Sequence, residues 1–232
     1  MSGIVIIPAR GGSKRIPRKN LLKIAGVPML ARPIQSGLAT PGVDAVLVST
    51  DDDEIAEVAT GLGASVRGRR PSSLAADETP TAPVVAYEVD QFRLENAEPE
   101  FVIVMYPTSV FISEVDLGRM LKRLRRTENP VDMILTATPY PAPIERAWRV
   151  MDGDVGVAAT ASTRNRQSQE FQEHFYDVGQ AYVSRADTWA RIHDGAEVRT
   201  ALDILPSWKA WDINTPDDLK IAETLLASIS AP

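Results

Sequence analysis

Four short apolar runs, each followed by a helical pattern, constrain the fold of this chain. Residues 3–7, 45–49, 101–105 and 133–137 are apolar with little alternation, as strands buried on both faces are. Helical stretches lie after them at 28–39, 53–62, 82–93 and 114–126, and Ser113 before Glu114 and Asp116 supplies a helix start. Strands alternating with helices predict an α/β chain on a doubly wound, mostly parallel sheet. Such a sheet takes its ligands beyond the carboxyl ends of its strands, so the loops leaving those ends carry the chemistry.

The first of these loops is unusual. Residues 6–20 read Ile-Ile-Pro-Ala-Arg-Gly-Gly-Ser-Lys-Arg-Ile-Pro-Arg-Lys-Asn. Arg10, Lys14, Arg15, Arg18 and Lys19 crowd together, and no acidic residue precedes Asp44. Gly11 and Gly12 lack side chains, so backbone N–H groups there can approach a phosphate while the cations offset its charge. The alternative, a solvated basic loop, fits poorly with so tight a concentration of like charge. Two other phosphate devices are missing. Gly11 has no glycine five residues on, as a P-loop requires, and the dinucleotide fingerprint G-x-G-x-x-G is absent, which excludes dinucleotide-dependent oxidoreduction.

Bulk properties narrow the partners. A net charge of −6 makes the basic loop a local site and argues against nucleic-acid binding. No cysteine is present, which removes disulfides and thiolate chemistry. No run approaches the ~18 apolar residues of a membrane span, and the sequence enters its first strand without a signal peptide, so no membrane partner and a cytoplasmic location are expected. A length of 232 residues suits one domain, 1–232, with a small appendage.

That appendage falls at residues 139–179. Pro139, Pro141 and Pro143 forbid a regular helix, and clean periodicity is lacking. Composition leaves two readings, an active-site flap or an arm packing on a second subunit. A strand at 180–184 and a helix at 186–193 follow. Thr215-Pro216-Asp217-Asp218 then opens a last helix, with threonine at the cap, proline in the first turn and acids at the positive dipole end.

The run from Ile7 through Asn20 resembles the first motif of the CMP-sialic acid synthetase family, whose members activate sialic, pseudaminic, legionaminic and similar nine-carbon acids. The resemblance implies a Rossmann-like nucleotidyltransferase that joins CTP to a nonulosonic acid and releases pyrophosphate. It implies that Arg10 and Lys19 are catalytic, and that Ala9, Arg10, Gly11, Gly12, Ser13, Lys14 and Asn20 hold the nucleotide. Arg70-Pro71-Ser72-Ser73-Leu74-Ala75-Ala76-Asp77-Glu78-Thr79 resembles the family's cytosine-recognising run, which adds Arg70, Asp77 and Thr81 to the nucleotide set. Asp77 and Thr79 also fit a helix cap, as do Asp51 and Asp52 after the second strand.

Asp212-Ile213-Asn214-Thr215-Pro216 resembles the family's Asp-Ile-Asp-Thr-Pro, whose two carboxylates bind magnesium. Asp212 is thus the expected catalytic metal ligand. Asn214, a departure, offers Mg2+ a neutral oxygen directly or through water. At the acceptor end, Tyr106-Pro107-Thr108-Ser109 replaces the sialate enzymes' Gln-Pro-Thr-Ser, and Asp177-Val178-Gly179-Gln180 replaces a run around Asn-Gly. These departures resemble the members acting on pseudaminic acid, and imply Tyr106, Thr108, Gln169, Asp177 and Gln180 as sugar-binding residues. The alternatives are another sialic-type acid, Kdo, or a non-catalytic sugar-nucleotide-binding paralogue. In the resembling family the irregular region contributes to a dimer interface, so a homodimer is expected.

Overall fold

The computed structural model describes residues 2–13, 15–126, 128–151, 153, 156–158 and 166–230. Its elements are β1 (Gly3–Pro8), β2 (Lys23–Ile24), β3 (Val27–Pro28), α1 (Ala31–Ala39), β4 (Val43–Ser49), α2 (Asp53–Gly61), α3 (Thr81–Arg93), β5 (Phe101–Met105), α4 (Glu114–Leu124), β6 (Met133–Pro139), β7 (Trp148–Val150), β8 (Gly156–Ala158), β9 (Phe175–Arg185), α5 (Thr188–His193), β10 (Thr200–Ile204) and α6 (Pro216–Ser230).

Six strands form the central sheet in the order β4-β1-β5-β9-β6-β10. The β4–β1, β1–β5 and β6–β10 pairs are parallel, and β9 alone runs against its neighbours. From β1 the chain crosses to β4, whereas from β5 it proceeds by α4 to β6 on the other side. The connections therefore part between β1 and β5, which makes that gap the switch point where a ligand crevice opens.

Alternation along each strand sorts side chains into two layers. Val5 and Ile7 of β1 face α1, α2 and α4, packing with Ile34, Ile55 and Met120. Ile4 and Ile6 face α3 and α5, packing with Val85, Phe92 and Trp189. Strands covered on both faces need no polar alternation, which is why these runs read as continuous apolar blocks.

A third apolar cluster lies outside these layers. Ile16, Ile24, Met29, Val110, Phe111, Ile213, Ala222 and Leu226 pack together. The small β2–β3 hairpin contributes Ile24, and its two-residue turn places Ala25 at φ 48° and Gly26 at φ 85°. Left-handed residues at both turn positions match the twist of a tight hairpin.

Several elements differ from the sequence reading. β9 begins at Phe175, not at residue 180, because Asp177 and Gly179 interrupt an otherwise apolar strand. Consequently residues 175–179 belong to the sheet. What projects is the segment between the Pro139↔Phe175 pair, and it carries the β7–β8 hairpin. β10 was missed altogether. As an edge strand it exposes Thr200, Leu202 and Ile204, so it lacks the doubly buried pattern.

Ser113 caps α4 in a capping box with Asp116, as its position predicts. Asp116 is buried and also accepts a 2.5 Å bond from the Lys209 ammonium. Arg119 bonds both carboxylate oxygens of Asp203, tying α4 to β10. Burial alone would raise the Asp116 carboxyl, but Lys209 and the Ser113 hydroxyl and amide hold it below the ordinary aspartate value. A depressed folded value means the stabilisation is complete above the unfolded pKa, near 3.9, and fades as pH falls through the folded one. Asp116→Asn should cost about 2 kcal/mol at neutral pH. In urea unfolding at a series of pH values, the difference from the wild type should shrink below about pH 4.

Candidate active site

The cationic loop follows β1 and is fixed mainly by acids beyond β4. Gly11 N–H donates to Asp51 at 2.9 Å, and a Cβ on Gly11 would stand 2.6 Å from an Asp52 oxygen, so only glycine passes there. Asp52 caps α2 through Ile55 N–H and accepts from Arg18 at 2.5 Å, while Glu54 takes a second Arg18 nitrogen. Asn20 is buried and donates to the Arg10 carbonyl at 2.8 Å, drawing the far end of the loop back onto its start. Of the two acids that fit a helix cap, only Asp52 is one; Asp51 accepts from the Gly11 amide instead.

Above the carboxyl ends of β1 and β5 lies a cavity of about 640 Å³. Arg10, Ser13, Arg15, Lys19 and Asn20 form one wall; Arg70, Asp77 and Thr81 form another; Tyr106, Thr108, Tyr182, Asp212 and Asn214 complete it. Residues from distant parts of the chain therefore converge at the switch point.

The walls are bonded to one another. Lys19 Nζ donates to the Ile213 carbonyl at 2.9 Å. Burial pushes its ammonium below the ordinary lysine value, with the Asp212 charge opposing and Arg15 and Arg10 adding to the fall. Ile213 is fully buried, and the flanking Asp212 and Asn214 turn to the cavity together, Asn214 Nδ2 donating to the Asp212 carboxylate. Asp218 accepts from the Asn214 and Thr215 amides at 3.0 and 2.8 Å, so it serves the start of α6. Arg10 forms an ion pair with Asp77 across the cavity.

The acceptor end is aromatic. Tyr106 shares a 2.6 Å hydrogen bond with Thr81, and its ring meets Tyr182 edge-on at 6.3 Å between centroids. Tyr182 donates at 2.8 Å to Asp177, whose other oxygen accepts from Gly179 N–H. Burial and the Asp177 charge push the Tyr182 phenol far above the ordinary tyrosine value, which keeps it a neutral donor.

The structure brings most of the expected site residues together and separates a few. Arg10, Ser13, Lys19, Asn20, Arg70, Asp77, Thr81, Tyr106, Thr108, Asp212 and Asn214 line the cavity. Lys14 lies outside the described residues. Ala9 is fully buried beneath the loop, and the Gly11 amide is held by Asp51. Gln180 is also fully buried, donating to the Trp211 carbonyl at 3.3 Å. Asp177 stands behind Tyr182. Gln169 lies apart, in a groove of the projecting segment with Tyr140, Phe171 and His174. Sequence reasoning missed Tyr182, because one aromatic in an apolar strand reads as core. It left Arg15 and Arg18 undivided; the structure turns Arg15 to the cavity and Arg18 to acids.

Asp212 and Asn214 offer a carboxylate and an amide oxygen at the cavity wall. Among the described residues no cluster of three or more His, Cys, Asp or Glu could enclose a metal. Such a pair fits a hard divalent ion that takes its remaining ligands from phosphate and water.

The model of one family, described as cytidylyltransferase, matches residues 4–198. The chain belongs to the cytidylyltransferase family. It is therefore an enzyme of nucleotidyl transfer, and the family match spans every cavity wall except Asp212 and Asn214. A pseudaminic acid cytidylyltransferase of Campylobacter jejuni is 28% identical over 97% of this chain and 96% of its own length. A Helicobacter pylori protein, named pseudaminic acid cytidylyltransferase and UDP-2,4-diacetamido-2,4,6-trideoxy-beta-L-altropyranose hydrolase, is 30% identical over 83% of this chain and 36% of its own. A CMP:2-keto-3-deoxy-manno-octonic acid synthetase structure, complexed with CTP, shares the fold. It has a TM-score of 0.72 and 19% identity, covering 99% of this chain and 100% of that one.

In a cytidylyltransferase with this cavity, Lys19 is the half-buried cation bonded to the carbonyl between Asp212 and Asn214. Lys19→Ala should lower kcat/KM for CTP by roughly 2–4 kcal/mol of transition-state stabilisation. Steady-state kinetics with unchanged kcat and unchanged KM for CTP would show that the loop does not hold the triphosphate.

Proposed function

We propose that this cytidylyltransferase joins CTP to a nonulosonic acid, pseudaminic acid foremost, giving the CMP-sugar and pyrophosphate. One observation carries the reading: a single cavity gathers the cationic loop, the Arg70–Thr81 wall and the Asp212–Asn214 pair. The relatives of C. jejuni and H. pylori are named for pseudaminic acid, and the aromatic acceptor end of this cavity supports the same acid.

In the reaction a sugar hydroxyl attacks the α-phosphorus of CTP, and the bond to pyrophosphate breaks. Arg10, Arg15 and Lys19 stabilise charge gathering on the leaving pyrophosphate, a task of positioning and electrostatics. Ser13 and Asn20 help seat the triphosphate and fix the loop. The incoming triphosphate would compete with the Asp77 carboxylate for the Arg10 guanidinium. Thr81, Tyr106, Thr108 and Tyr182 shape the acceptor side. Asp212 and Asn214 would hold Mg2+, which offsets phosphate charge when bound. A nucleotide donor made inside the cell fits a cytoplasmic location.

A homodimer completes the proposal. Leu202 and Ile204 of the edge strand β10 are exposed, although their β6 partners Leu135 and Ala137 are half-buried and buried. The projecting hairpin exposes Trp148, Val150 and Val157. Apolar surface of this extent favours a partner, and a second copy would cover both regions.

Pyrophosphate release should occur with CTP among the four nucleotides, and with pseudaminic acid above N-acetylneuraminic acid, legionaminic acid and Kdo. No release with CTP and any acid would leave a binding protein. In the same assay Asp212→Ala should abolish turnover even at high magnesium. Asn214→Asp should keep activity and lower the magnesium requirement, because divalent affinity rises with ligand charge. Normal turnover by Asp212→Ala would move the metal elsewhere.

Light scattering at micromolar concentration should give about twice the 25.3 kDa chain mass. A fully active monomer would make the projecting segment a flap of its own subunit.

A further inference from the structure

Asp77 is out of place in a cavity that gathers Arg10, Arg15, Lys19 and Arg70 for a phosphate chain. An ionised carboxylate only accepts hydrogen bonds, so it has none to donate to phosphate and repels its charge. Two structural roles do not account for it. Helix α3 has Pro80 at its cap position, three residues beyond Asp77. The ion pair with Arg10 is not a buried tie of the fold either, since the two side chains are 31% and 36% exposed.

What the carboxylate does is bridge. Arg10 lies on the loop after β1 and Asp77 on the segment ahead of α3, so their ion pair joins two walls of the cavity. The Arg10 backbone is held separately, its carbonyl accepting from Asn20 at 2.8 Å. The guanidinium can therefore change partner while the loop stays where it is. A phosphate arriving at Arg10 competes with Asp77 for its donors and meets the repulsion of a like charge. When that phosphate leaves, Asp77 takes the guanidinium back.

We propose that Asp77 is a specificity residue, a resident counter-ion of Arg10 that weakens the hold on pyrophosphate and so favours its release over return. The inference rests on the reading that Arg10 meets the pyrophosphate end of CTP. The motif around Asp77 implies the opposite role, a contact that holds the nucleotide, and the two roles differ in sign.

Calorimetric titration of the full chain with pyrophosphate, CMP and CTP, each in magnesium, separates them. Asp77→Asn should tighten pyrophosphate and CTP roughly 2- to 5-fold, the range of an exposed ion pair, and leave CMP unchanged. In an Arg10→Gln background the same substitution should lose most of its effect, because its partner is gone. Weaker CTP and CMP with unchanged pyrophosphate would overturn the proposal and make Asp77 a nucleotide ligand. Equal tightening with and without Arg10 would overturn the pairing on which it stands. If Arg10→Gln alone binds pyrophosphate as the wild type does, the reading of the loop beneath the proposal fails instead. Should Asp77→Asn fail to fold, Asp77→Ala carries the same comparison.

Discussion

A small apolar cluster behind the cavity holds its walls in register. Ile16 belongs to the cationic loop, Val110 and Phe111 to the segment after β5, and Ile213 lies between Asp212 and Asn214, and all pack in one cluster with Met29 and α6. Each anchors a polar neighbour. Ile16 sits beside Arg15 and close to Lys19, Val110 follows Thr108, and Ile213 separates Asp212 from Asn214. The sheet supplies the crevice, and this separate cluster anchors the loops that wall it. Apolar burial outside the main core converts flexible connections into a defined wall, at about 25 cal/mol per Å² removed from water. Preorganised charge of this kind is what phosphoryl chemistry asks of a protein.

The charges are then divided between scaffold and site. An acidic chain can hold a cationic pocket only if its acids are kept from neutralising it. Asp51 and Asp52 are occupied with Gly11, α2 and Arg18, and Asp218 with the start of α6. Asp77 closes on a loop cation, Arg10. Asp212 stays beside Lys19, close enough to bias its charge while remaining free to meet a cation of its own.

Much of this was legible in the residues. The apolar runs of β1, β4, β5 and β6 betray burial on both faces, and Ser113 and Thr215 announce their helices. The cationic loop, Arg70, Tyr106 and the Asp212–Asn214 pair all reach one cavity as their motifs imply. Long-range pairing was not legible. Nothing near Arg18 reveals that Asp52 and Glu54 will take it, while Arg15 is left to the cavity. The alternation of β10 is short and exposed, Tyr182 hides in an apolar strand, and Gln169 is carried off by a segment whose path is not encoded locally. These outcomes depend on which surfaces meet in three dimensions, and one sequence read along its length does not contain that information.

The bond from Lys19 to the Ile213 carbonyl joins positions 194 apart. Contacts of such separation close the longest loops a chain can form and come late in folding. A nascent chain can complete β1, its loop and the strands around it long before residue 213 leaves the ribosome. Until then the loop has neither its opposing wall nor the α6 half of its apolar anchor. Closure of the cavity thus waits for synthesis past residue 213. A truncated product would retain much of the sheet and present a loose cationic loop with no cavity to close upon.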